Sequence, residues 1–471
     1  MTRTVIVGNG PAAHRLAERV RARDTAHSVT VLGEEPEPAY NRVLLSAVLA
    51  GSLPPEAARL ADLGELAGVD VRTGVRACAI DREQQVVRTE DGDAHDYDQL
   101  VLATGARPAV PALPGLTGPD GDLVDGAVPL RTLEDCRRVE KDLPDRVAVL
   151  GGGLVGLEAA RGLAGRGVRV DLVHPAEHLL DRQLDTASGR VLSAVVKHSG
   201  VRLHLCQRAN AYRSGRLHLD GGGEVDADLV LVATGVRPNA EIAARSGIQV
   251  DRGVVVDDEL RTSDPRVHAL GDCAEHRGQL PGLIGPAWEQ AEVLADVLTG
   301  GPARYRGSKP ITRLKDRDID LAVLGESRLG EAEADVVTLA DPSRGRYARL
   351  ALRGEAVAGA VLLGFPEAVG GISQLYDSGA PVPADPLALL AGRAEPAAAT
   401  SPAQAPEEAV VCRCNSVTKK DLVAAWRDGA RDVPALAAAT RASTGCGGCS
   451  DAVGQLCTWL GSAEPEKEGA A

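Results

Sequence analysis

Four cysteines stand in two close pairs near the end of the chain, Cys412-Arg413-Cys414 and Cys446-Gly447-Gly448-Cys449. Thiolates are the ligands that soft metals select, and four of them suit a [2Fe–2S] cluster or a structural zinc. Zinc ribbons usually carry two C-x-x-C knuckles, so the C-x-C half argues for the cluster. The other cysteines follow no such pattern. Cys78, Cys136, Cys206 and Cys273 are scattered over the first 400 residues, and Cys457 has no partner in the spacing. They are expected to be small apolar residues packed in the fold, Cys457 on a helix.

Glycines supply the second kind of chemistry. An apolar run, Thr4 to Val7, enters Gly8-Asn9-Gly10-Pro11-Ala12-Ala13, and a helical segment follows. Gly8 permits a tight turn, Gly10 lets the backbone approach a pyrophosphate, and Ala13 allows close helix–strand packing. The helix start adds N–H donors. A second apolar run ends at Glu34-Glu35, where an acid can accept hydrogen bonds from a ribose. The pattern recurs at Gly151-Gly152-Gly153-Leu154-Val155-Gly156, whose following strand ends at His174. Two closing phrases repeat as well: Leu102-Ala103-Thr104-Gly105 and Val232-Ala233-Thr234-Gly235. Two full fingerprints predict two bound dinucleotides.

The elements that must position these residues need several domains. A length of 471 residues suggests about three. Apolar residues make up 44%, with a single Phe and a single Met, so aliphatic side chains must build the cores. A formal net charge of −14 lacks the basic footprint of a nucleic-acid binder. No stretch of about 18 uncharged apolar residues exists to span a membrane. The strand begins almost at Met1, leaving no room for a signal peptide, so a cytoplasmic location is expected and disulfides are not. Residues 391–409, rich in Ala and Pro, read as a semi-flexible linker that packs against nothing. No acid–base dyad or nucleophile triad stands out.

With Val267-His268-Ala269-Leu270-Gly271-Asp272 added, the sequence resembles the two-dinucleotide-binding flavoprotein reductases. The resemblance implies an α/β fold with two Rossmann-like domains of the pyridine nucleotide-disulfide reductase type. FAD would lie on the first fingerprint (Gly8, Asn9, Gly10, Pro11, Ala12, Ala13), with Glu34, Glu35, Ala77, Ala103, Thr104, Gly105 and Asp272. NADH or NADPH would lie on Gly151, Gly153, Leu154, Val155, Gly156, His174, Ala233, Thr234 and Gly235. Members with a redox dithiol carry it after the second strand; here Tyr40-Asn41-Arg42-Val43-Leu44-Leu45-Ser46 has none. Electrons must then leave the flavin elsewhere. Cys412-Arg413-Cys414-Asn415-Ser416-Val417-Thr418-Lys419 and Thr444-Gly445-Cys446-Gly447-Gly448-Cys449 resemble the [2Fe–2S] domain of bacterioferritin-associated ferredoxins. That likeness makes Cys412, Cys414, Cys446 and Cys449 the cluster ligands.

The whole order is similar to the N-terminal half of assimilatory NAD(P)H nitrite reductase large subunits. Tyr40-x-Arg42-x-x-Leu45-Ser46, Leu130-Arg131-Thr132-Leu133, Gly282-Leu283-Ile284-x-Pro286 and Leu314-Lys315 carry the likeness. It implies Arg42 and Arg131 as further FAD contacts. It also implies an FAD domain at 1–110 and 240–303 and an NAD(P)H domain at 111–239. A small α+β domain would follow at 304–390, then a small helical [2Fe–2S] domain at 410–460 and a disordered tail at 461–471. The sequence offers nothing to hold a sirohaem, so it is not expected to reduce nitrite alone. It resembles the electron-transfer subunit serving a molybdenum-dependent assimilatory nitrate reductase. Rival expectations are a reductase for a ferredoxin, rubredoxin or oxygenase, a nitrite reductase component, and a redox sensor. A homodimer is compatible with the layout. The strand end at His174, with neither an acid nor an Arg, predicts that both nicotinamide cofactors work.

Overall fold

The computed structural model describes residues 2–393, 405–412, 415, 417–444 and 448–463. The chain forms two compact units, residues 1–144 with 229–310, and residues 145–228 with 311–471.

The first unit is built on a parallel five-stranded sheet in the order Val267–Ala269, Gln99–Leu102, Arg3–Val7, Ser28–Gly33, Val69–Thr73. In the central strand Val5, Ile6 and Val7 are all buried, as expected where helices cover both faces of a parallel sheet. Register is set by pairs such as Val5 with Thr30 and Val5 with Leu100. Helix Pro11–Arg23 follows the first strand; its Ala13, Leu16, Ala17 and Val20 fall at helical spacing and are fully buried. The helix packs against helix Ile284–Leu298, and its Arg15, Arg19 and Arg23 all reach Glu292 of the second.

The two units divide at 144/145 and 228/229. Strand Ala127–Pro129 pairs with Leu229–Val232, and Leu133 N–H donates to the Tyr40 hydroxyl at 3.2 Å.

In the second unit, parallel strands Arg146–Leu150, Arg169–His174 and Val201–Leu205 alternate with helices Leu154–Gly165 and Thr186–His198. An antiparallel sheet follows in the order Ile311–Arg313, Leu321–Gly325, Ala356–Leu363, Arg346–Arg353, Asp335–Asp341. Helix Pro366–Ser378 covers it through Val369, Ile372 and Leu375, which join Leu350, Leu362 and Phe365 in one core. The C-terminal module is a hairpin, Val410–Cys412 with Val417–Thr418, and three helices, Lys419–Arg427, Val433–Thr440 and Ser450–Ala463. Thr418 and Asp421 cap the first of these reciprocally. Leu422, Trp426, Leu436, Val453, Leu456 and Leu460 form its interior.

Residues at both ends of the segment expected as a linker at 391–409 are hydrogen-bonded. Arg393 N–H bonds to the Ala388 carbonyl, closing the turn after helix Pro386–Leu390. The carbonyls of Ala405, Glu407 and Ala409 accept from Lys419 and Lys420, because the hairpin and helix start leave those donors facing the incoming chain. Residues 394–404 lie outside the described residues. Helix Ser450–Ala463 runs into the expected tail as far as residue 463, and the remainder lies outside the described residues.

Candidate functional site

The first glycine turn is shaped by close approach. Gly8 has φ +113°, and a Cβ there would stand 2.2 Å from the Ala103 carbonyl oxygen, so no other residue fits. Gly10 is the helix N-cap, and a Cβ there would meet nothing within 4 Å. Pro11 opens the helix where an N–H has no helical partner. Asn9 has both its polar side-chain atoms buried with no partner among the described residues. Buried amide groups are costly when unmatched, and a pyrophosphate or ribose laid on this turn would match them. The residues fit FAD.

Beside the turn the sequence's two arginines converge. Glu35 accepts from the Tyr40 hydroxyl at 2.6 Å and from the Arg42 guanidinium. Arg42 also donates to the Arg131 carbonyl at 3.2 Å, and Arg131 reaches the Asp272 carboxylate at 2.7 Å and the Ala106 carbonyl at 3.0 Å. Arg42, Arg131 and Asp272 thus form one network with Glu35. Glu34 points elsewhere: it is exposed and pairs with Arg76 at 3.3 Å. Thr104 and Asn239 exchange two hydrogen bonds, and Gly105 has φ +66°. Gly271 packs against Ala12 and donates its N–H to buried Gln290 at 2.7 Å. Ala77 heads an antiparallel strand paired with Thr89, apart from this network.

Two residues were not singled out as site residues from the sequence. Tyr40 is buried, and burial pushes its hydroxyl pKa up, so it stays a neutral hinge between Glu35 and Arg42. The spacing Tyr40-x-Arg42 was its signal. Trp288 is buried with its indole N–H lacking a partner among the described residues; nothing in the sequence marks it.

The second turn repeats the geometry. Gly151 has φ +109°, and Gly153 is an open N-cap. Leu154 and exposed Val155 begin the helix, and Gly156 is buried in it. His174 is engaged differently from the expectation. Its Nδ1 accepts from Gly152 N–H at 3.2 Å, so its Nε2 carries the proton and donates to Asp181 at 3.1 Å. Burial lowers its pKa. Both nitrogens are occupied and none is left for a ribose. A Cβ at Gly152 would collide with this ring at 2.8 Å. On the same helix, buried Glu158 pairs with Lys315 at 2.5 Å. Ala233, Thr234 and Gly235 belong to the first unit; Thr234 donates to the Ala109 carbonyl, and Gly235 has φ +106°.

In the C-terminal module Cys412 and Cys449 are buried side by side, and the neighbouring Cys412 thiol raises the pKa of Cys449. Ser443 N–H donates to the Cys449 sulfur at 3.2 Å, the type of contact that sets cluster potentials. Asn415 donates to the Arg441 carbonyl at 2.7 Å, joining the two ligand loops. Cys414 and Cys446 lie outside the described residues, and among the described residues no three His, Cys, Asp or Glu side chains form a metal-sized group. Paired buried thiols with an N–H aimed at sulfur fit a [2Fe–2S] cluster. The scattered cysteines are free. Cys136 and Cys273 are buried as expected, with burial raising Cys136 to about 12. Cys206 is exposed instead, at φ +55° just past strand Val201–Leu205. No helix among the described residues is long and apolar enough to cross a membrane.

Two glycine cradles, an Asn9 without a partner among the described residues and a thiol-rich module define a flavin-dependent nicotinamide oxidoreductase with an iron–sulfur domain. Residues 2–291 match the pyridine nucleotide-disulphide oxidoreductase family, and residues 410–457 match the BFD-like [2Fe-2S] binding domain. The chain belongs to the pyridine nucleotide-disulphide oxidoreductases, as an NAD(P)H-dependent flavoprotein reductase with FAD and a [2Fe–2S] cluster as cofactors. It is 33% identical to nitrite reductase [NAD(P)H] of Bacillus subtilis strain 168, over 96% of this chain and 57% of that one. It is 32% identical to the assimilatory nitrate reductase electron transfer subunit of the same organism, over 99% of this chain and 60% of that one. The chain therefore spans less than two thirds of the length of these relatives. The crystal structure of the covalent putidaredoxin reductase–putidaredoxin complex aligns with a TM-score of 0.73 and 29% identity, over 82% of this chain and 95% of that one.

Proposed function

We propose that this protein takes electrons from NADH or NADPH and delivers them singly, through FAD and the cluster, to a separate catalytic subunit in the cytoplasm. The acceptor we favour is a molybdenum-dependent assimilatory nitrate reductase. The observation that carries this reading is the cluster module, with its buried Cys412–Cys449 pair, at the end of a flavin reductase that has no dithiol in residues 40–46. Bound FAD would supply the exchange between two-electron hydride chemistry and one-electron transfer that such a route needs. The chain's own residues hold and tune these groups. The N–H groups around Gly8–Ala13 and Gly151–Gly156 receive pyrophosphates, Arg42 and Arg131 supply charge, and Asp272 accepts hydroxyls. Cys412, Cys414, Cys446 and Cys449 ligate the cluster. Likeness to the nitrate reductase electron transfer subunit over 99% of the chain supports the acceptor.

The test is reconstitution with a nitrate reductase catalytic subunit. NAD(P)H-driven nitrite formation that disappears in Cys449→Ser is expected. Likeness to the putidaredoxin reductase complex supports a second reading, a small ferredoxin as acceptor. Fast reduction of a ferredoxin with no nitrite formed would favour it.

A further inference from the structure

One short segment ties the cluster module to the rest of its unit. Residues 311–320 are fastened to the nucleotide-fingerprint helix by Lys315–Glu158 and by a bidentate Arg161–Asp316 pair at 2.7 and 3.1 Å. In both pairs the carboxylate is almost completely buried. At the head of the segment, Arg313 ends the edge strand Ile311–Arg313, and its guanidinium is held by Asp320 at 3.1 Å. The other arm of that fork donates to the Gly448 carbonyl at 3.5 Å, a long hydrogen bond. A second observation marks the same contact: a Cβ at Gly448 would stand 2.5 Å from the Arg313 Nη1 and 2.8 Å from its Cζ. The guanidinium approaches the loop backbone this closely because residue 448 has no side chain. Gly448 immediately precedes Cys449.

We propose that Arg313 is a positioning residue for the cluster. It latches the Cys449 loop onto the antiparallel sheet and sets a fixed positive charge beside the metal site. A cluster ligated by four thiolates is anionic and gains a further negative charge when the flavin passes it one electron. A cation held nearby stabilises the reduced form more than the oxidised one and raises the reduction potential. Arg313 itself gains and loses nothing. The inference rests on the cluster assignment and is independent of the acceptor's identity.

The experiment uses the full-length holoprotein as wild type, Arg313→Gln and Arg313→Lys. Iron content is measured first; zinc in place of iron would remove the cluster assignment itself, separately from the latch. The midpoint potential is then read by EPR-monitored titration, and the loop by hydrogen exchange of peptides covering residues 441–453. R313Q is expected to lower the potential and speed loop exchange several-fold, while R313K retains most of the potential. An unchanged potential in R313Q, or an equal fall in R313K, would overturn the proposal. Should R313Q not hold iron, Asp320→Asn frees the guanidinium from its anchor without touching the loop. Faster exchange of the loop then supports the latch, and unchanged exchange overturns it.

Discussion

At the scale of single residues, the site depends on charges held by other charges. Asp272 meets Arg131 at 2.7 Å, and both side chains are about four-fifths buried. Removing the guanidinium leaves the Asp272 carboxylate without that partner. Arg131→Ala is expected to weaken FAD retention about tenfold, or ~1.4 kcal/mol, measured as flavin per protein after gel filtration. His268 supplies a pH dependence. It is buried, donates to Gln99, and burial lowers its pKa to about 4. The folded value lies below the unfolded one, near 6.5, so the unfolded chain binds the extra proton first. Stability is full above about pH 6.5 and is lost as pH falls towards 4. Urea unfolding at pH 7.5 and 5 should show wild type losing about 1–2 kcal/mol more than His268→Gln. An equal loss in both proteins would assign the acid sensitivity to other groups.

At the scale of elements, the two glycines of a fingerprint have separable jobs. Gly8 is needed by the backbone, since its φ is positive and the Ala103 carbonyl occupies the Cβ position. Gly8→Ala should therefore unfold or severely destabilise the first unit, by several kcal/mol. A Cβ at Gly10 would meet nothing within 4 Å. Gly10→Ala should keep the fold, with a Tm within a few degrees of wild type before FAD is added, and bind FAD poorly. Gly153 plays the same part in the second unit. Gly153→Ala should raise KM for NAD(P)H while the flavin content stays unchanged. His174 is tied to Gly152 and Asp181, so His174→Ala should lower Tm more than it shifts the ratio of kcat/KM for NADH and NADPH. That ratio is expected to lie within about tenfold in the wild type.

At the scale of the whole molecule, the reductase and the cluster module should be separable in composition. Leu389 and Leu390 are buried in the core of the antiparallel-sheet region. A truncation must therefore keep them. A fragment of residues 1–393 is expected to fold, hold FAD and reduce ferricyanide with NAD(P)H, while losing transfer to the natural acceptor. The full chain should contain about two irons, and Cys446→Ser or Cys449→Ser should abolish the iron signal with FAD retained. A flavin-free or insoluble fragment would mean that the C-terminal module is part of the reductase core.

The sequence alone determined the two nucleotide turns and the cysteine pattern, because these are local. A glycine at a tight turn or a thiol at ligand spacing is demanded by its immediate neighbours. What the sequence could not determine was how distant side chains use one another. His174 stands where a ribose contact is expected, yet its ring is held between a backbone N–H in the fingerprint and a carboxylate seven residues on. Glu34 and Glu35 are adjacent, and only the placement of Tyr40 and Arg42 selects Glu35 for the inner network. Arg313 reads as one surface arginine among many; tertiary folding puts it against Gly448, 135 positions along the chain. Contacts at such separations are decided by the packing of whole sheets and helices, which no window of sequence contains.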